Sequence, residues 1–245
     1  DIKLGQSRSP CFPVLSLCDD LDVHHKTAKL WVNRRIQENS TLGPIPKRNR
    51  SDKIRIGYYS ADFREHPVAM LLVGILESHD KTRFEIFAFA SGPEVESSLR
   101  QRIKSAVDHF IDINLMSDEQ VAKCSREYAI DIAIDLGGHT KDSRVDIFSY
   151  RAAPIQLSYI GYLGTMGAKY YDYLLADSVL IPAVSRAYYT EKIVYLPSYQ
   201  ANDSIRQISD QIFTRAELGL PETGFVFCCF NNNYKITPKT FGGWM

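Results

Sequence analysis

From Lys53 onward the chain alternates short apolar runs with stretches of helical periodicity. The runs Ile54–Tyr59, Phe84–Phe89, Phe110–Ile113, Ile130–Leu136, Ile155–Ile160, Tyr173–Ala176 and Ile193–Leu196 predict strands. Between them, the segments near Val68–Ser78, Glu94–Val107, Asp118–Tyr128 and Arg144–Tyr150 predict helices. Strands and helices in strict alternation are the mark of stacked βαβ units on a parallel sheet, so the expected class is α/β with a Rossmann-like domain.

The flanks read differently. Cys11 to Leu17 reads as a loop, followed by an amphipathic helix from about Leu21 to Gln37 with Ala28, Leu30, Trp31 and Ile36 as packing residues. Ser40–Ser51 carries two prolines, a glycine and three basic residues, which marks a linker. Beyond Leu196 come a polar stretch (Ser198–Asp210), a short helix (Thr214–Leu218), a turn (Gly219–Gly224) and an apolar run, Phe225–Phe230, that predicts the opening strand of a second domain. The expected division is residues 1–50 as helical lead-in and linker, 51–200 as the Rossmann-like domain, and 201–245 as an interdomain segment and the incomplete start of a C-terminal nucleotide-binding domain. The chain starts at Asp1, not Met, and ends in what reads as the first turn of a helix, so both ends are expected to be cuts.

Composition narrows the partners. Lys plus Arg and Asp plus Glu number 29 each in 245 residues, so no net field draws the chain to nucleic acid or an anionic membrane. Five cysteines without CxxC spacing argue against a disulfide framework or a zinc site and for reduced thiols. With no apolar run of membrane-spanning length and no signal-peptide layout, a soluble cytoplasmic or nuclear protein is expected.

In open parallel sheets ligands bind beyond the carboxyl ends of the strands. Three strand exits are rich in suitable groups: Ser60 to Pro67 with His66, Gly137 to Lys141 with His139, Thr140 and Lys141, and Gly161 to Gly167 with Gly161, Gly164 and Thr165. Glycines permit close backbone approach, and an imidazole, hydroxyl or ammonium can bond polar ligand groups. His66 reads either as a general base or ligand contact, or as a helix-start residue held by Pro67. Gly57-Tyr-Tyr-Ser-Ala-Asp62 after the first strand is not GxGxxG, which sets a dinucleotide site aside. Thr237 fits a helix N-cap and Pro238 the first helical position, so Lys235 just ahead of them is placed to meet a phosphate.

Taken in order, Lys53-Ile-Arg-Ile-Gly-Tyr-Tyr-Ser-Ala-Asp-Phe63 with His66-Pro67, Asp135-Leu-Gly-Gly-His-Thr-Lys141, Arg151-Ala-Ala-Pro-Ile-Gln156, Gly161-Tyr-Leu-Gly-Thr-Met-Gly167 and Phe230-Asn-Asn-Asn-Tyr-Lys235 resemble the protein O-GlcNAc transferase family over nearly the whole chain. The resemblance implies a metal-independent, inverting GT-B glycosyltransferase that needs no cofactor. It would move GlcNAc from UDP-GlcNAc, bound between two Rossmann-like domains, to Ser or Thr hydroxyls of acceptor proteins. It implies that His66 lies beside the reaction centre and that Lys235, with Asn232 and Tyr234 near it, serves the donor diphosphate. His139 to Lys141 and Gly161 to Thr165 would line the sugar and acceptor side. Tetratricopeptide repeats are expected upstream. Leu163 stands where the family usually has proline, and Gly137 where Lys or Asn is common. Two other readings use the same residues: a non-catalytic binding module, or the same fold with another donor such as GDP-fucose.

Overall fold

Parallel pairing throughout joins seven strands in the order β3-β2-β1-β4-β5-β6-β7. They are β1 (Ile54–Ser60), β2 (Phe84–Ala90), β3 (His109–Asp112), β4 (Ile132–Asp135), β5 (Ile155–Ser158), β6 (Tyr173–Ala176) and β7 (Lys192–Tyr195). The computed structural model describes residues 9–36, 38–47, 51–201 and 203–245; Gln37 of the expected lead-in helix, Arg48 to Arg50 of the expected linker and Asn202 of the expected polar stretch lie outside the described residues. Two compact units result, Asp1–Asp203 and Ser204–Met245, and the sheet belongs to the first.

Side-chain alternation sorts the central strands onto two cores. On one face Tyr59, Phe87 and Phe89 meet α2 (Leu21–Arg35), α5 (Asp118–Glu127) and α6 (Asp146–Ser149). On the other, Ile56, Tyr58, Ile86 and Ala88 meet α3 (Pro67–Glu77) and α4 (Ser98–Ala106). Strands covered on both faces have no solvent side to keep polar, which is why β1 and β2 read as apolar runs. Local signals place the helices. Asp20, His66 and Ser97 cap α2, α3 and α4, and Ser117 with Gln120 forms a capping box on α5. The cap at Ser97 starts α4 later than the expected Glu94, and α6 is only four residues long.

The lead-in departs from expectation at its start. Cys11–Leu17 is a helix, α1, rather than a loop; its Pro13 lies in the first turn, where no intrahelical N–H is needed, and Cys11 and Val14 are buried. Of the expected packing residues, Ala28 on α2 and Ile36 at its C-cap are in the core, joined by Val32, and Trp31 packs against it. The β5–β6 connection contains no helix. There α2 lies so close that a Cβ on Gly167 would come within 2.6 Å of the Ala28 backbone, and Gly167 has φ 69°.

In the second unit the expected helix Thr214–Leu218 is a single turn, in which Thr214 Oγ1 accepts from the Glu217 backbone N–H while the Glu217 carboxylate accepts from Thr214 N–H. Phe225–Phe230 is not a strand. Phe225, Phe227 and Phe230 are exposed, and the described residues offer the run no ladder partner. A strand exists only by pairing its backbone with a neighbour, so apolar β-formers alone do not make one. The chain closes with α7 (Pro238–Trp244), capped by Thr237 with Pro238 at its first position.

Candidate functional site

Strand order reverses between β1 and β4, and in an open parallel sheet the crevice for ligands opens at the carboxyl ends of such a pair. The exits of β1, β4 and neighbouring β5 carry every candidate that the sequence singles out in the first unit.

The β1 exit is held tightly. Ser60 Oγ accepts from Asp62 N–H at 2.9 Å, and Asp62 Oδ1 accepts from the Arg64 guanidinium at 3.0 Å. Phe63 is buried, and its carbonyl accepts from Arg100 Nη1 at 2.9 Å. Arg100 is itself buried, with its guanidinium 4.9 Å from the Phe110 ring centroid. His66 caps α3: Nδ1 accepts from Val68 N–H at 3.3 Å and lies 3.4 Å from Asp62 Oδ2. These two contacts require different protonation states. Capping leaves the proton on Nε2, whereas a proton on Nδ1 faces Asp62 and leaves Nε2 as a base. His66 is therefore both a cap and one half of an imidazole–carboxylate pair, with its side chain about a third exposed.

At the β4 exit the buried Asp135 organises the turn. Its Oδ1 accepts from Gly137 N–H (2.9 Å) and Gly138 N–H (3.0 Å), and its Oδ2 from the Tyr171 hydroxyl at 2.5 Å. Burial pushes the carboxyl up, and these donors pull it back. Thr140 donates its hydroxyl to Gly137 O at 2.7 Å, and Lys141 is exposed. His139 is buried; its Nε2 lies 2.8 Å from the Met166 carbonyl, and burial holds the imidazole below its usual range.

The β5 exit packs onto the β4 exit. A Cβ on Gly161 would fall 1.9 Å from Leu136 O, one on Gly138 would fall 2.5 Å from Tyr162 Cβ, and one on Gly164 would fall 2.6 Å from the Tyr162 hydroxyl. Ile160 adopts φ 65°, a left-handed conformation that is strained for a β-branched residue and is kept only because its surroundings hold it. Thr165 donates to Glu191 Oε2 at 2.7 Å and accepts from Gly167 N–H and Thr190 N–H, which fills the capacity of one hydroxyl. The close approaches that glycine allows at Gly161 and Gly164 are thus made to the protein's own loops, and the Thr165 hydroxyl is fully engaged inside it.

Asn232, Tyr234 and Lys235 belong to the second unit. Asn233–Lys235 forms a 3-10 turn that leads to the Thr237 cap of α7, and all three candidates are exposed. Residues that the sequence reading passed over include Asp62, signalled in retrospect by its four-residue spacing from His66, and Asp135, signalled by an acid at a strand end before two glycines. Glu191 had no local signal, since it lies 25 residues from its partner Met166.

Comparison with known proteins identifies this architecture. The Glycosyl transferase family 41 model matches residues 36–208. The chain is 38% identical over 207 residues to the probable UDP-N-acetylglucosamine–peptide N-acetylglucosaminyltransferase SEC of Arabidopsis thaliana, covering 82% of this chain and 21% of that relative. It is 35% identical over 146 residues to the UDP-N-acetylglucosamine–peptide N-acetylglucosaminyltransferase of Caenorhabditis elegans, covering 59% of this chain and 13% of that one. A solved structure of a Lys-to-Met mutant of Thermobaculum terrenum O-GlcNAc transferase superposes with a TM-score of 0.68 at 29% identity, covering 77% of this chain and 38% of that one. The chain therefore spans about a fifth of its Arabidopsis relative. With a doubly wound parallel sheet and a family match across most of the first unit, the chain belongs to glycosyl transferase family 41.

Proposed function

We propose that this chain is the front part of an enzyme that transfers GlcNAc from UDP-GlcNAc to Ser or Thr hydroxyls of proteins. The family 41 match over residues 36–208 carries the reading, and the His66–Asp62 pair at the strand-order reversal supports it. In the proposed step an acceptor hydroxyl oxygen attacks the anomeric carbon and forms the new C–O bond. The bond to the diphosphate breaks with inversion, and UDP departs with the electron pair. The hydroxyl proton leaves to a base. His66 can receive it on Nε2 once Nδ1–H faces Asp62, so the acid orients the base. Lys235, an ammonium just ahead of the capped start of α7, stabilises the negative charge that builds on the departing diphosphate. Lys141 and the loop 137–141 face the sugar and acceptor side.

The test uses a full-length transferase containing this segment. Lys235→Met is expected to abolish transfer, and His66→Ala to lower kcat by roughly 100-fold, the scale of general-base catalysis. Near-normal turnover by Lys235→Met would refute the diphosphate role. Measuring UDP-GlcNAc beside GDP-fucose and UDP-glucose in the same assay tests the donor.

A further inference from the structure

Glu191, one residue before β7, is 4% exposed, and its carboxylate is met by uncharged donors. Oε2 accepts from the Thr165 hydroxyl at 2.7 Å and Oε1 from Met166 N–H at 2.6 Å. A buried carboxylate without a cation is costly, and a glutamine of the same shape would avoid that cost. What glutamine lacks is two acceptors with no donor. Here both neighbours must donate. The lone pairs of Thr165 Oγ1 already accept from Gly167 N–H and Thr190 N–H, so its proton has to point at Glu191. Met166 N–H has no alternative but to donate.

This arrangement reaches the β4 exit in one further bond. With its N–H held by Glu191, Met166 directs its carbonyl to His139 Nε2 at 2.8 Å. A carbonyl only accepts, so Nε2 must carry the proton. The ring cannot easily turn away, because Tyr162 packs edge-on against it with centroids 5.2 Å apart, and Tyr162 is itself wedged against Gly138 and Gly164.

We propose that Glu191 is a positioning residue of the site: it holds the Met166 carbonyl on His139 Nε2, so that His139 keeps the Nε2–H tautomer and offers Nδ1 as an acceptor to a hydroxyl or amide N–H of the bound sugar or acceptor. Only the identity of that ligand rests on the transferase reading. The relay from Glu191 to His139 is a property of the first unit by itself.

Long-range proton–nitrogen spectra of the histidine-labelled 245-residue chain at neutral pH test it, with His139→Gln assigning the signals. The expected result is an Nε2–H tautomer at His139 in the unmodified chain. In Glu191→Gln an amide N–H opposes either Thr165 or Met166, and the ratio of Nε2–H to Nδ1–H forms is expected to fall about tenfold, the worth of one net hydrogen bond. An Nδ1–H tautomer in the unmodified chain, or an unchanged ratio in folded Glu191→Gln, overturns the proposal. Should Glu191→Gln not fold, Thr165→Val is expected to shift the ratio in the same direction and Thr165→Ser to leave it in place; a Thr165→Val ratio equal to the unmodified one overturns it. A full-length enzyme that fails to transfer GlcNAc would remove the ligand but leave the relay intact, whereas a failed tautomer measurement removes the relay whatever the enzyme does.

Discussion

Replacing Gly161 with alanine isolates the junction of two site loops. The position has no left-handed φ, so alanine meets no backbone penalty there; its methyl carbon would instead fall 1.9 Å from the Leu136 carbonyl oxygen. Ordinary van der Waals contact for a Cβ starts at 3.4 Å, so one loop must move by more than 1 Å, and the obstacle is backbone rather than the end of a flexible side chain. Overpacking of this kind costs about 1–3 kcal/mol, and a clash with backbone that is itself anchored by Leu136 N–H on Tyr59 O places it near 3. With a urea slope of about 2 kcal/mol per molar, the midpoint should fall by roughly 1.5 M at unchanged slope. Trp31 fluorescence in a Trp244→Phe background reports on the first unit alone, because the chain has two tryptophans and Trp31 lies on α2. Gly43→Ala is the control. There φ is 65° with nothing within 4 Å of the added methyl, so only the left-handed penalty of about 1–2 kcal/mol applies. A Gly161→Ala midpoint at or above that of Gly43→Ala would refute the argument that loop contact, rather than backbone freedom, requires glycine at this rim.

Ser125→Ala removes the middle of a buried chain in which Tyr59 donates to Ser125 at 2.6 Å and Ser125 donates to Ala152 O at 2.9 Å; stranding both outer groups should destabilise by about 2–4 kcal/mol in the same urea assay. His79, hydrogen-bonded to the Tyr58 hydroxyl, is held below its usual range first by burial and then by Lys81, against the opposing pull of Asp108. Its folded pKa is lower than its unfolded one, so the unfolded chain binds more protons as pH falls below the ordinary 6.5. The stability it contributes is complete above that value and is lost as pH drops toward the depressed one. The difference in unfolding free energy between the unmodified chain and His79→Gln should therefore shrink between about pH 7 and pH 5; a difference flat with pH would refute the assignment.

Much of the first unit is legible without coordinates because burial on both faces of a parallel sheet writes itself into sequence as apolar runs. Every expected strand from Ile54 to Leu196 appears within a residue or two at each end, and Ser117, Thr237 and Pro238 announce helix starts through chemistry that acts within one turn. The same local logic fails where a partner decides. Phe225–Phe230 has strand-forming residues and no ladder, whereas Cys11–Leu17 looks like a loop and becomes a helix because Cys11 and Val14 are drawn into the core.

By itself, then, the order of residues determined the βα alternation, the caps and which strand exits carry His66, His139 and Lys141, since all of these follow from interactions along a few consecutive residues. Which groups meet across those exits was decided only in three dimensions. The sequence shows glycines at 161 and 164 and a threonine at 165 but not what they touch; the fold turns the glycines toward Leu136 and Tyr162 and the hydroxyl toward Glu191, 26 residues away. Contacts of that kind depend on the sheet order, which brings distant segments to one rim, and no periodicity along the chain records it.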